Sequence, residues 1–280
     1  MQAIYSIIDT LLPFQWLEPQ FMKNAFLAVL AACPLFGILG TIVVSNKMVF
    51  FSDAIGHSAL TGIALGVIFG IHNVTVSMIV FSVLLGFIII SVKIKGKTSA
   101  DTIIGVFSST SVALGIVLLS ATGNFSKYQK YLIGDILSIQ PSEILLLAGA
   151  VILLLAVWIF FFNKMLLTNI HSNFAKSRSI NTFLMEQIFA LITAVIVTIS
   201  IRWTGLLVIN SLLVLPAAAS RLVSSNSRQY TFISLLISLF SGIAGLSLSY
   251  YIGSASGATI VIINAVLFVM YFFASILRRN

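Results

Sequence analysis

Long apolar runs constrain this chain more than anything else in it. Nine stretches, at 21–46, 48–70, 73–93, 101–122, 142–163, 183–201, 204–222, 230–251 and 256–277, read as membrane-crossing helices, for which about 20 residues suffice. Lipid offers the backbone no hydrogen bonds, so only helices and closed barrels cross it. These runs are continuously apolar and lack the alternation of barrel strands, which selects helices. Only 8% of the 280 residues are charged and 59% are hydrophobic, against about a quarter charged in a soluble domain. The expected fold class is all-α, a polytopic membrane helix bundle of about nine transmembrane helices, with eight as the alternative count. An interfacial segment over 1–20 precedes a transmembrane domain over 21–280.

In the first segment Ile4, Ile7, Ile8, Leu11 and Leu12 fall near one helical face, and Phe14 and Trp16 suit a headgroup boundary. Without a basic start, and with Asp9, Pro13, Glu18 and Pro19, it is expected to be no cleavable leader. The formal charge of +8 is unevenly placed. Alternate loops and the C-terminus hold Lys47; Lys93, Lys95 and Lys97; Lys164, Lys176 and Arg178; Arg221 and Arg228; Arg278 and Arg279. The opposite set holds Lys127, Lys130 and Arg202, with Lys23 near the start. Basic loops stay in the cytoplasm, which puts the N-terminus outside and the C-terminus inside and accounts for the charge without nucleic acid. The single cysteine, Cys33, lies in an apolar run and reads as a small core residue. The external loop 123–141 contains Tyr128, Tyr131 and Ile133-Gly134-Asp135-Ile136-Leu137. It is too apolar for a plain solvated loop, and a short helix packed on a pore mouth is expected. No GxxxxGK[ST] phosphate-binding loop is present, so any ATP that drives transport binds to another chain.

Charges inside membrane spans are costly and usually functional. Asp53 and His57, in Phe51-Ser52-Asp53-Ala54-Ile55-Gly56-His57-Ser58, are four residues apart. On a helix this puts carboxylate and imidazole on one face, one turn apart. Zinc prefers such groups and manganese accepts them. The alternative is that Asp53 caps a helix start and His57 bonds a backbone group. Two ligands do not complete a zinc shell, which takes about four; two copies of the pair across a symmetric dimer axis would supply them. Gly56, Gly62 and Gly66 permit close approach of a neighbouring helix. Asp101 opens the fourth span and reads as its N-cap, with a pathway role as the alternative. Glu186, near the start of the sixth span, either reaches the cytoplasmic boundary, pairs with a basic loop residue or serves the pathway. In the seventh span Pro216 is expected to break the helix. Ala217, Ala218 and Ala219 then lead to Arg221, a polar segment and Arg228, either a basic knob that docks on a partner or an ordinary proline kink before a positive loop.

Together these segments resemble one family, the permease subunits of bacterial zinc and manganese ABC importers, the ZnuB/MntB type of metal-type ABC transporter permease. The family pattern around the second span is matched by Ser52-Asp53-Ala54-Ile55-Gly56-His57-Ser58-Ala59-Leu60-Thr61-Gly62. Further matches are Leu132-Ile133-Gly134-Asp135-Ile136-Leu137, Ser99-Ala100-Asp101-Thr102-Ile103-Ile104-Gly105 and the 205–221 run, in order, over roughly 21–275. Gly56 stands where the family has Ser, and 168–178 departs from the family's loop. The resemblance implies a type II ABC-importer-like permease working by alternating access. It implies a second permease copy, cytoplasmic ATP-binding subunits that hydrolyse ATP, and an extracellular metal-binding protein, in a bacterial plasma membrane. Asp53 and His57 would line the path of a transported ion, with no cofactor bound permanently and no enzymatic chemistry in this chain. Pro216, Ala217, Ala218, Arg221 and Arg228 would belong to the segment that couples to the ATPase. The stretches 21–29, 246–251 and 257–259 are similar to Gram-positive zinc permeases, which favours Zn2+ over Mn2+ or iron. The rival class is a secondary metal carrier that works without an ATPase.

Overall fold

A computed structural model describes residues 2–96, 98–123, 125–128, 134–170 and 172–279. Lys97, Lys130, Tyr131, Leu132, Ile133 and His171 lie outside the described residues, as do the side chains of Lys127, Arg202, Arg278 and Arg279. The regular structure among the described residues is helical. In chain order it comprises α1 (Gln2–Leu11), a 3-10 turn (Gln15–Leu17), α2 (Gln20–Ser45), α3 (Val49–Ile68), α4 (Val74–Lys95), α5 (Ala100–Ala121) and α6 (Phe125–Tyr128). A second 3-10 turn (Ile136–Ser138), α7 (Pro141–Ile170) and α8 (Ser172–Ser177) follow. The chain ends with α9 (Thr182–Ile201), α10 (Trp203–Val223), α11 (Ser227–Ile252) and α12 (Ser256–Arg279). Among the described residues, nine helices are long and apolar enough to cross a membrane, α2 to α5, α7 and α9 to α12. Their ends agree with the nine expected spans to within a few residues, except that α7 runs to Ile170, seven residues past its expected end at 163. The loop expected to carry a short helix does so at α6, followed by the second 3-10 turn.

Short polar residues set several helix ends. The Asn73 side chain accepts from Thr75 N at the start of α4 (3.1 Å), and Ser99 accepts from Thr102 N at the start of α5 (3.2 Å). Asn226 accepts from Gln229 N at the start of α11 (2.8 Å), while Gln229 accepts in return from Ser225 N (2.9 Å). These bonds satisfy amides that have no partner within the helix. At the far end of α11, Gly253 takes the left-handed conformation (φ 70°) that closes helices.

The chain divides into two compact units, residues 1–41, 134–153 and 203–280 in one, and 42–133 and 154–202 in the other. In the first unit α2 and α11 are sewn together by hydroxyls. Ser234 Oγ donates to Gly37 O (2.8 Å) and Ser238 Oγ to Cys33 O (2.8 Å). One turn on, Gly242 lies against Cys33 and Val29, and Gly245 lies against Ile260 of α12. Without a hydrophobic drive inside lipid, small residues and interhelical hydrogen bonds supply such association. Cys33 is buried and free, as expected of a packing residue.

The helical run Thr182–Val223 is interrupted at Gly205 (φ 73°, ψ 164°) and nowhere else. This corrects the expected break at Pro216, because α10 passes through that residue in helical geometry. Proline's fixed φ suits a helix and only one backbone bond is lost, a cost that transmembrane helices tolerate when neighbours re-satisfy the backbone. Gly205, by contrast, adopts a conformation nearly closed to other residues.

In the second unit α3 packs between α4 and α5. Gly62 and Gly66 let α4 approach: a Cβ at Gly62 would stand 2.8 Å from Met78 Cα, and one at Gly66 would meet the Ser77 hydroxyl. On the α5 side Gly115 meets Thr61, whose hydroxyl donates to Ser111 O. Ser58 and Ser82 bring their hydroxyls to 3.4 Å across α3 and α4. The result is a helix held tightly on two sides.

Candidate metal site

That tight packing defines the site. From Phe51 to Ala64, every residue of α3 is buried except Asp53 and His57. Their side chains are 40% and 35% exposed, and His57 Nε2 lies 3.5 Å from Asp53 Oδ1. A spacing of four residues puts both on one helical face, and in the buried stretch from Phe51 to Ala64 these two residues alone are part-exposed. Neutral imidazole and carboxylate are borderline-to-hard donors that suit first-row divalent ions. Among the described residues, no group of three or more His, Cys, Asp and Glu comes together in a way that could hold a metal. Within the described residues, the pair thus stands as two candidate donors, both part-exposed.

The alternative role for Asp53 as a helix cap does not hold. Helix α3 starts at Val49, with Met48 in the capping position, so Asp53 sits in the second turn, beyond the unpaired amides a cap serves. His72 is exposed in the turn between α3 and α4.

The cap expected at Asp101 also moves. Ser99 caps α5, and Asp101 lies exposed in the first turn. A hydroxyl two residues earlier is the one that reaches Thr102 N. The Asp101 carboxylate remains favourable beside the positive end of the helix.

Glu186 finds a partner that the sequence did not single out. Its Oε2 accepts from Lys93 Nζ at 2.8 Å, each side chain being 25% exposed. Lys93 belongs to the last turn of α4 rather than to the loop beyond it. The same ammonium lies 3.5 Å from Met48 Sδ. Next to Glu186, Gln187 donates to Phe87 O (3.4 Å) and Ser91 Oγ (3.2 Å), so α9 grips α4 through two consecutive residues. The signal for this pairing was present as the only acid in 182–201 and a lysine inside a helix end, but their separation along the chain hid it.

Pro216 and Ala217 are buried and Ala218 is half-buried, while Ser220 Oγ donates to Ala217 O (2.9 Å). Arg221 and Arg228 are exposed on either side of the short connection between α10 and α11.

The ABC 3 transport family matches residues 18–275. The chain belongs to that family. The ABC 3 chain is 30% identical over 261 residues to the high-affinity zinc uptake system membrane protein ZnuB of Haemophilus influenzae, covering 93% of this chain and 98% of that one. It is 27% identical over 259 residues to the manganese import system permease protein ScaB of Streptococcus gordonii, covering 92% and 93%. Among solved structures, PsaBC from Streptococcus pneumoniae in complex with Fab aligns with a TM-score of 0.79 at 25% identity, over 97% of this chain and 95% of that one. This ABC 3 permease is thus an integral, multi-pass helical membrane protein with the fold of its family.

Proposed function

We propose that this chain is the path-forming permease of an ATP-driven importer for a divalent transition metal ion, with zinc favoured. The observation that carries the reading is the Asp53/His57 pair, the only opening in the buried stretch of α3. A transported ion needs ligands strong enough to strip water and incomplete enough to release it. Two pairs, one from each of two permease copies, give four such ligands around one ion. Cytoplasmic ATPase subunits supply the energy and an extracellular metal-binding protein delivers the ion, a reading supported by membership of the ABC 3 transport family and the likeness to PsaBC.

The basic loops set the orientation, with the connection between α10 and α11 in the cytoplasm. There Arg221 and Arg228 present charge to the ATPase, held by the buried Pro216–Ala217 stretch and by Ala218. Outside, α1 lies in the headgroup layer. Ile4, Ile7 and Leu11 are exposed on it, while Asp9 takes Lys23 (2.6 Å) and Tyr5 donates to Asn24 (2.6 Å). An amphipathic helix tied down in this way suits an interface.

Manganese is the second reading, favoured by the likeness to ScaB. The deciding experiment is ATP-dependent uptake of zinc and manganese by the complex reconstituted in vesicles. Wild type is expected to take up zinc in preference. His57→Ala and Asp53→Ala are expected to abolish most uptake while the complex still assembles. Full uptake in either variant would overturn the assignment, and uptake without ATP would point to a secondary carrier.

A further inference from the structure

A second site lies at the end of α4, away from the Asp53/His57 pair in sequence and chemistry. Phe87, Ile88, Ser91, Val92, Lys95 and Gly96 line a groove of about 410 Å³. Its wall is apolar and open, with Phe87, Ile88 and Val92 all exposed. Below it, Val76, Val80 and Leu84 continue the same exposed strip at four-residue spacing along α4. Such a strip along a membrane-crossing helix faces acyl chains.

The polar groups of the groove narrow the ligand further. Ser91 Oγ donates to Phe87 O (2.8 Å) and accepts from Gln187, and Gly96 N donates to Val92 O (2.7 Å). Lys93 is engaged by Glu186. Lys95 is exposed, and among the described residues no carboxylate lies within ion-pairing distance of it. Among the described residues, Lys95 is therefore a cation with no carboxylate partner where an apolar strip ends.

We propose that this groove seats an anionic phospholipid of the surrounding bilayer, with one acyl chain against Phe87, Ile88 and Val92 and the phosphate on Lys95. Charge complementarity selects the anionic headgroup, and the continuous apolar strip selects a lipid over a soluble anion. The bound lipid lies beside the Glu186–Lys93 and Gln187–Ser91 contacts that join α9 to α4, and so braces that junction.

Native mass spectrometry of the purified full-length chain, titrated with phosphatidylglycerol or phosphatidylcholine of matched chains, tests this. Wild type is expected to retain phosphatidylglycerol about fivefold better, the contribution of one lysine at a membrane surface. Lys95→Ala is expected to erase the preference and Lys95→Arg to keep it. Val92→Trp, which fills the groove, is expected to weaken retention of both lipids. Equal retention by wild type, or an undiminished preference in Lys95→Ala, overturns the proposal. So does displacement of phosphatidylglycerol by millimolar glycerol phosphate, which would indicate a soluble anion. A Val92→Trp shift from dimer to monomer with unchanged lipid retention would assign the groove to a second copy of the chain and likewise overturn it.

Discussion

Gly134 and Gly205 meet backbone to backbone: a Cβ at Gly134 would overlap the amide nitrogen of Gly205. The two residues belong to motifs far apart in the chain, and both have positive φ, 66° and 73°. Gly205 also has ψ 164°, a combination nearly confined to glycine and costing other residues about 1–3 kcal/mol. Gly205→Ala is expected to destabilise by about that amount, read as a lower melting temperature of the detergent-solubilised chain. Gly134→Ala adds the overlap to its φ penalty and is expected to be worse. Because the residues share one contact, the double variant should lose less than the sum of the two; strict additivity would show that they do not touch.

The Lys93–Glu186 pair makes a different prediction, since both side chains are three-quarters buried. Removing one partner leaves the other desolvated without compensation, which costs about 1–3 kcal/mol. Glu186→Ala and Lys93→Met are each expected to lower stability by that order. The double variant should recover much of the loss, because the stranded charge is gone. A thermal-shift cycle with no coupling between the two positions would remove the pair from the account of how α9 holds α4.

How much of this could be read in the sequence follows from the physics at each place. The nine spans were legible because lipid demands uninterrupted apolar helix of about 20 residues. The Asp53/His57 pair was legible because charge in a span is conspicuous. That it is the one part-exposed pair in an otherwise buried stretch of α3 was not legible, because the buried positions include polar Ser52, Ser58 and Thr61. Pro216 misled because proline's cost in a helix depends on what re-satisfies the backbone, a tertiary matter. The true break, at Gly205, lies just beyond Arg202, where the sequence divides one span ending at 201 from the next beginning at 204. Ser99 and Asp101 are both good caps, and two residues of register decided between them. The partner of Glu186 lay on another helix.

Asn264 offers a test of packing. It is 1% exposed in α12, and neither side-chain polar atom has a hydrogen-bond partner among the described residues. A buried amide without partners costs about 1–3 kcal/mol, and leucine has nearly the same shape. Asn264→Leu is therefore expected to raise the melting temperature of the purified chain. A clear drop would mean that the amide binds something in the assembled protein.

The final prediction concerns which ion the Asp53/His57 pair prefers. Imidazole suits zinc, whereas all-oxygen sites suit manganese. The two side chains already lie on one accessible face of a helix that is otherwise fixed. Exchanging a ligand should thus change chemistry more than geometry. His57→Asp turns each pair into two carboxylates and is expected to lower the zinc-to-manganese uptake ratio by roughly tenfold or more, since one unit of selectivity of that size needs only about 1.4 kcal/mol of differential binding. The extra negative charge repels its neighbour in the empty site, so total uptake should also fall at low metal and recover as metal is raised. Asp53→His is expected to move the ratio the other way. Reconstituted vesicles supplied with both ions, and read by isotope or elemental analysis, give the ratio within one sample, so differences in protein amount cancel. An unchanged ratio in both variants, with transport intact, would mean that the ion passes without touching these residues.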